Sequence, residues 1–251
     1  IRDVERSRGL GDVYKRQHLS WVDVRLLALG ELSILAAILL GAVMWSAIQR
    51  AMGLGFSWQE GMATHLVSGI TKYIPGYAWQ YLSKGYLSRK QGAPVRNVVL
   101  AMMTELVLLL AGGVALAALW GTLADRRGPF LQWVPHWAWL LIGVLSLFIA
   151  LVWNCSLPAL LRQKRESVTQ AGLWFALWIG VVGWFLFSIA AWVMSRSLYP
   201  VPLTAFPQHA IALIVSAIAG ILVIVVPGGL GVREVTLAWL LKGELPIAVG
   251  V

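Results

Sequence analysis

Five apolar runs separated by short polar segments dominate the chain, and an α-helix needs roughly 20 such residues to cross a bilayer. They cover residues 26–48, 95–120, 137–153, 173–194 and 209–226. Only 12% of the 251 residues are charged, about half the ~25% that is usual in soluble domains. These features predict an all-α fold, a polytopic bundle of transmembrane helices.

A sixth segment, residues 58–87, is too polar for an ordinary span. Its weakly apolar first half is interrupted by Pro75 and Gly76, and a helical pattern resumes at residues 77–87. Unpaired backbone groups in hydrocarbon must be satisfied by protein or water. The pattern therefore predicts a broken or re-entrant helix, or a helix that lies in the interface.

A second Pro-Gly break, at Pro227 and Gly228, follows the last apolar run. Paired broken segments in two halves of a membrane protein point to a transport site between them. Two Pro-Gly pairs also arise by chance, so an internal repeat and a coincidence both remain open.

The chain ends bear on domain organisation. Residues 1–17 are polar, lack the apolar region of a signal peptide, and resemble a translated adapter sequence. We expect them to be a non-native leader. We expect residues 18–251 to form a single transmembrane helical domain that is truncated at both ends.

Basic residues outside the spans indicate orientation. Seven lie on the side where the second clear span begins, and three lie on the other side. The seven are Lys84, Arg89, Lys90, Arg96, Arg162, Lys164 and Arg165, and the three are Arg126, Arg127 and Arg196. The positive-inside rule makes the first side cytoplasmic and predicts a multi-pass protein of the bacterial inner membrane. The same pattern indicates anionic lipid head groups as partners, and not nucleic acid.

Enzyme chemistry has little support in the sequence. The single Cys155 cannot form an internal disulfide, and no Cys/His cluster has zinc-ligand spacing. Nucleophile-elbow, nucleotide-binding and His-Glu-x-x-His motifs are absent from the sequence. We therefore expect neither a cofactor nor a catalytic residue.

The strongest candidate site follows the last apolar run. Residues 227–234 read Pro-Gly-Gly-Leu-Gly-Val-Arg-Glu. Backbone N–H groups around Gly228 and Gly229, after the break at Pro227, would favour an anion, and Arg233 can bind a phosphate with two hydrogen bonds. Glu234 could pair with Arg233 or receive a cationic head group. The alternative is a solvated surface pair worth under about 1 kcal/mol.

The early break offers further candidates. Lys72 could hold a phosphate at the entrance of a groove lined by Gln80, with Pro75 and Gly76 forming the break. The alternative is that Lys72 snorkels to the interface. Glu105 lies ten residues into the second span, where an ionised carboxylate costs several kcal/mol unless it is paired. We expect it to face the protein interior and to meet Lys72, Arg233 or a head-group amine, or else only to fix helix packing.

Residues 227–234 closely resemble the late motif of the lysylphosphatidylglycerol synthase transmembrane-region family of flippase-like proteins. Residues 72–76 and Glu105 stand at the places of two weaker family motifs. The chain departs from the family where residues 77–80 replace a glycine–glutamate pair and an arginine, and where Leu106 replaces an arginine. The resemblance implies lipid translocation, and the soluble aminoacyltransferase domain of the best-known members is not found in this chain.

Three functions follow from these patterns. The first is a flippase-like translocator that binds a phospholipid or lipid-linked head group in a polar groove between broken helices. The second is a membrane subunit that works with an enzyme of cell-envelope synthesis, such as a glycosyltransferase or aminoacyltransferase. The third is a membrane scaffold in which the charges only fix packing.

Overall fold

The computed structural model describes residues 22–71, 74, 79–124, 134–161, 168–223 and 229–242. Across these ranges it contains eight α-helices, one 3₁₀ turn and no strand. The helices, numbered in chain order, are α1 Val24–Ala51, α2 Trp58–Ile70, α3 Trp79–Lys90, α4 Val95–Leu123, α5 His136–Leu161, α6 Gln170–Leu198, α7 Phe206–Leu222 and α8 Val232–Leu240. The predicted all-α bundle is confirmed.

Five helices are long and apolar enough to cross a membrane: α1, α4, α5, α6, and α7 together with the 3₁₀ turn Leu203–Ala205 before it. They contain 20 to 29 residues, which corresponds to about 30–44 Å at 1.5 Å per residue. On α5, Leu141, Val144 and Phe148 are between 57% and 66% exposed. An apolar surface of this kind needs lipid or protein around it, and the chain has the structure of a multi-pass membrane protein.

Helices α1 and α6 pack antiparallel along their length and define the two ends of the bundle. At one end the Thr169 N–H donates to the Ala51 carbonyl at 2.8 Å, and at the other the Asp23 N–H donates to the Ser197 carbonyl at 3.0 Å. The end that contains Ala51 is called end A, and the end that contains Asp23 is called end B.

Small residues set the approach of α4 to its neighbours. Gly121 lies directly beneath the ring of Trp139 on α5, and a Cβ atom on Gly113 would lie 2.8 Å from the Trp184 ring of α6. Helices in a bilayer gain their association energy from such close packing. The glycines of α4 therefore fix the spacing of three spans.

Four of the five predicted spans are confirmed to within four residues at both ends, and the third continues eight residues beyond its predicted end, to Leu161. The observed helices begin at residues 24, 95, 136, 170 and 206, where the sequence predicted residues 26, 95, 137, 173 and 209. The fifth helix ends at Leu222, four residues before the predicted end. Both Pro-Gly pairs lie outside the described residues, so the helix breaks there stay predictions.

The predicted excess of basic residues on one side of the membrane keeps its direction but loses one residue. Arg96, at the start of α4, donates to the Leu160 carbonyl near the end of α5, so these two helix ends lie together at end A. Lys84, which the sequence assigned to this end as a loop charge, is buried at 2% exposure. Among the described members of the two groups, Arg89, Lys90 and Arg96 lie at end A and Arg196 lies at end B.

Candidate functional site: an ionic triad on a short helix pair

Helices α2 and α3 form an antiparallel pair that packs between α1 and α4. Phe56 and Ala93 pack together where the pair begins and ends, and near the other end Thr71 Oγ1 lies 2.9 Å from Ser83 Oγ. Because α1 ends and α4 begins at end A, the pair enters the bundle from end A and returns to it. Its helices have 13 and 12 residues, so they extend only about 20 Å.

A capping box fixes the start of α2. The Ser57 hydroxyl accepts a hydrogen bond from the Glu60 N–H at 3.2 Å, and Glu60 accepts one from the Ser57 N–H at 2.8 Å. Hydrogen bonds from the Ser57 backbone and hydroxyl lower the pKa of the Glu60 carboxyl. Two of the orphan N–H groups at this helix end are therefore satisfied.

Lys84 of α3 and Glu105 of α4 form a buried ion pair. The Lys84 Nζ atom lies 2.6 Å from Glu105 Oε2 and 2.9 Å from Oε1. The ring of Trp45 on α1 faces the same ammonium, 4.1 Å from the ring centroid, and adds a cation–π contact. Glu105 is ten residues into α4, about 15 Å along the helix axis, so the pair lies deep in the bundle.

His65 of α2 joins this pair. Its Nδ1 atom lies 3.1 Å from Glu105 Oε1 and 3.2 Å from Lys84 Nζ. A glycine makes room for the ring, because a Cβ atom on Gly41 of α1 would lie 3.2 Å from His65 Nε2. His65, Lys84 and Glu105 are called the ionic triad, and three different helices supply them.

Further polar side chains lie between the triad and end A. The Gln49 amide donates to the Ser88 hydroxyl at 3.4 Å, and the Gln91 amide donates to the Thr64 hydroxyl at 3.2 Å. Gln49 is fully buried, and its Oε1 atom has no hydrogen-bond partner among the described residues. Buried polar atoms need such partners or water, so the α2–α3 pair carries a polar region from end A to the triad.

The triad places two opposite charges and an imidazole in contact. Two ions at this depth are tolerated only because each neutralises the other. Lys84 donates to both carboxylate oxygens, and the imidazole of His65 stands beside them with 19% of its side chain exposed. In the described part of the chain no group of three His, Cys, Asp or Glu side chains could hold a metal ion.

The turn between α7 and α8 is built on close backbone contact. Gly229 and Gly231 have φ of +69° and +82°, a region that side chains disfavour, and a Cβ atom on Gly229 would lie 2.7 Å from Gly220 Cα. The Gly231 N–H donates to Glu234 Oε2 at 2.6 Å. The Arg233 side chain lies across Gly220, where a Cβ atom would be 2.6 Å from its Nε atom.

The structure describes five of the ten predicted site residues: Glu105, Gln80, Gly229, Arg233 and Glu234. The other five lie outside the described residues: Lys72, Pro75, Gly76, Pro227 and Gly228. Within the described α8 no ion pair joins its arginine to its glutamate, whose carboxylate caps the helix instead.

Glu105 faces the bundle as the sequence predicts, and the described residues that meet it are not among its expected partners, of which Lys72 lies outside the described residues. The expected partners were Lys72, Arg233 or a head-group amine, and the structure places Lys84 and His65 against the carboxylate. One feature of the sequence indicates that Lys84 lies on a helix near a predicted site residue. It lies four residues, or one helical turn, after Gln80, in a segment too apolar at its start to be a simple loop.

No protein-family model matches the chain, and no curated protein or solved structure is significantly similar to it.

Proposed function

We propose that this chain is a flippase-like lipid translocator of the bacterial inner membrane, related to the lysylphosphatidylglycerol synthase transmembrane-region family. It binds the head group of a phospholipid or lipid-linked substrate in a polar groove beside the α2–α3 pair. The observation that carries the proposal is the ionic triad, which joins a helix pair too short to cross the bilayer to the spanning helix α4.

A short polar helix pair suits this function for a physical reason. A lipid head group cannot cross hydrocarbon without polar partners, because burying an unpaired polar or charged group is costly. The polar region from Gln49 to Glu105 offers such partners at intermediate depth. The acyl chains stay in the surrounding lipid, which the apolar outer face of α5 already requires.

The α7–α8 turn supplies the phosphate contact in this proposal. Arg233 is exposed at the start of α8, and a guanidinium binds a phosphate through two parallel hydrogen bonds. Pro227 and Gly228 before it carry the family resemblance. We assign the chain no catalytic role and no cofactor, and its partners are membrane lipids, with a glycosyltransferase or aminoacyltransferase as a protein partner.

The proposal is tested by reconstituting the protein in vesicles that carry a trace of fluorescently labelled phosphatidylglycerol. The fraction of labelled lipid that a membrane-impermeant quencher reaches gives the rate of exchange between leaflets. We expect wild type to speed this exchange, and Glu105→Gln and Arg233→Ala to reduce it by about tenfold or more, which is the effect of losing about 1.4 kcal/mol of binding or barrier energy.

Arg89→Ala is the matched control, because Arg89 is an exposed arginine near end A that contacts none of the triad. It should exchange lipid at the wild-type rate. Native mass spectrometry of the same proteins shows whether a bound lipid is lost with Arg233. Equal exchange and equal lipid retention in all four proteins would refute the assignment of Glu105 and Arg233 to the site. Wild-type exchange no faster than in protein-free vesicles would refute the translocator and favour a scaffold or an enzyme partner.

A further inference from the structure

One nitrogen atom of the ionic triad faces two partners with opposite requirements. His65 Nδ1 lies 3.2 Å from Lys84 Nζ and 3.1 Å from Glu105 Oε1. An ammonium can only donate hydrogen bonds, whereas a carboxylate can only accept them. An unprotonated Nδ1 atom can therefore accept a hydrogen bond from Lys84, and a protonated Nδ1 atom can donate one to Glu105.

The two states of this nitrogen differ by one proton and by one hydrogen bond. In the first state the proton of the neutral ring is on Nε2, beside Gly41, and Lys84 donates to Nδ1 as well as to Glu105. In the second state Nδ1 carries a proton and donates to Glu105. Lys84 then loses its contact with the ring and keeps its bonds to the carboxylate, so a single proton reorganises the contact between α2 and α3.

We propose that the ionic triad is a proton-binding site that couples lipid movement to a proton gradient. The inference rests on the proposed function and adds its energy source. The triad joins α2, α3 and α4, and α2 and α3 form the helix pair that enters from end A and returns to it. A proton that moves the contact of His65 Nδ1 from Lys84 to Glu105 therefore changes how this pair is held against the spans.

Four helices pack around the site, and three of them contribute a titratable side chain. Helix α2 contributes His65, α3 contributes Lys84 and α4 contributes Glu105. Helix α1 contributes Trp45 and Gly41, neither of which titrates. With a neutral imidazole the triad has no net charge, and with an imidazolium it has a charge of about +1.

The step is a simple proton transfer. A hydronium ion from the acidic side gives one proton to the lone pair of His65 Nδ1 and leaves water. The bond from Lys84 to Nδ1 breaks, and the bond from Nδ1 to Glu105 Oε1 forms. Release to the less acidic side reverses both changes, so no oxidant, reductant or other reactant is needed.

The test uses the vesicle assay with a pH gradient. Vesicles hold about pH 8 inside and about pH 6 outside, or the reverse, values that bracket the ordinary histidine pKa of about 6.5. With one proton per lipid, such a gradient can sustain a leaflet ratio of up to about 100 for the labelled phosphatidylglycerol. We expect a several-fold departure from a ratio of one, in opposite directions for the two gradients, which vanishes when a protonophore collapses the gradient.

His65→Gln should lose the response to the gradient: whatever its rate of lipid exchange, its leaflet ratio should stay at one under either gradient. His136→Gln is the matched control, since His136 begins α5 outside the triad, and it should respond like wild type. Thermal unfolding in detergent checks that both variants fold. If His65→Gln does not fold, ¹⁵N resonances of wild-type histidines, recorded across this pH range, still decide whether His65 Nδ1 gains a proton.

The outcomes separate the two proposals. No lipid exchange by wild type under any condition would refute the translocator itself. Wild-type exchange that ignores the gradient, or a His65 Nδ1 resonance that does not change with pH, would refute proton coupling alone. A gradient response that survives in a folded His65→Gln protein would also refute the assignment of the proton site.

Discussion

Lys84 Nζ lies 2.6 Å from Glu105 Oε2, although 21 residues separate the two along the chain. The lysine belongs to a helix of the short pair and the glutamate to a spanning helix. Because the pair is buried, each side chain depends on the other for its charge. The contribution of the ion pair to the free energy of unfolding can therefore be measured by substituting each partner.

Removing either partner alone should destabilise the protein strongly. Glu105→Gln or Lys84→Met leaves one charge without its counter-ion, and such a loss in a buried pair costs about 3–5 kcal/mol. The double variant should lose less than the sum, because no uncompensated charge remains. Reversible unfolding in mixed detergent micelles gives the four free energies of unfolding of the cycle.

Glu31→Gln is the control for that cycle. Glu31 also lies in a spanning helix but is exposed, so its substitution should change the free energy of unfolding by less than about 0.5 kcal/mol. Additive effects of the two single substitutions would show that Lys84 and Glu105 do not interact.

Alanine substitutions at two glycines should change stability in opposite directions, because one glycine lies where α4 packs on α6 and the other faces open space. Gly113→Ala places a Cβ atom 2.8 Å from the Trp184 ring, and the ring is held by its N–H, which donates to the Leu109 carbonyl at 2.9 Å. Overpacking of this kind costs about 1–3 kcal/mol. Gly69→Ala, in α2, meets nothing within 4 Å and should stabilise the helix by up to about 1 kcal/mol.

The shift in thermal unfolding temperature of the two alanine variants in the same detergent measures this difference. A neutral or stabilising Gly113→Ala substitution would mean that α4 and α6 do not approach as closely as the structure has them.

The capping box of α2 predicts a pH dependence at acidic pH. The pKa of Glu60 is lowered in the folded protein by hydrogen bonds from Ser57. A lowered pKa means that the carboxylate stabilises the fold above its ordinary value of 4.5 and that this stabilisation is lost as pH falls below it. Amide hydrogen-exchange protection at the start of α2 should therefore fall below about pH 4.5.

Ser57→Ala serves as the comparison for this measurement, since it removes the hydroxyl from the capping box. Protection factors, which divide out the intrinsic effect of pH on exchange, should be lower in Ser57→Ala at neutral pH and should change less on acidification. Ser57→Ala keeps the backbone bond to Glu60, the larger cause of the lowered pKa, so it should reduce the fall without removing it, whereas an equal fall in Glu60→Gln, which has no carboxyl to titrate, would assign the effect to another group.

The spans were predictable from sequence because hydropathy is a local property. A run such as residues 137–153 must be buried in lipid or protein whatever the rest of the chain does. The other helix ends moved by at most four residues, as at Gln170 and Phe206, whereas this run continues as helix to Leu161, eight residues further. Capping and packing, which a run of apolar residues does not reveal, decide those positions.

The triad was not predictable in the same way. The sequence identified Glu105 as a carboxylate that needs a partner, but His65 lies 40 positions before it and Lys84 lies 21 before it. Which basic residue meets it depends on how α2 and α3 fold back onto α4. By sequence, a lysine between two apolar segments is expected to lie outside the spans. Only the pairing of the helices shows that Lys84 is buried.

The α8 cap gives a prediction that separates structure from lipid binding. Glu234 Oε2 accepts the Gly231 N–H at 2.6 Å, so Glu234→Ala should weaken the start of α8 by about 0.5–2 kcal/mol. Glu234→Gln keeps an acceptor oxygen at this position and should lose less. Hydrogen-exchange protection of residues 232–236 compares the two variants, and equal loss in both would show that the charge matters more than the hydrogen bond.

The course of the α2–α3 pair predicts which side of the membrane its ends face. In a Cys155→Ser background, which removes the single cysteine, Gln59→Cys and Arg89→Cys mark the beginning and the end of the pair. Both positions are exposed and lie near end A. Arg25→Cys marks end B.

A membrane-impermeant maleimide should label Gln59→Cys and Arg89→Cys from one face of sealed vesicles and Arg25→Cys from the opposite face, because α1 crosses once and the pair returns to its starting side. Labelling of Gln59→Cys and Arg89→Cys from opposite faces would mean that the pair crosses the membrane, and the triad would then not lie on a returning helix pair.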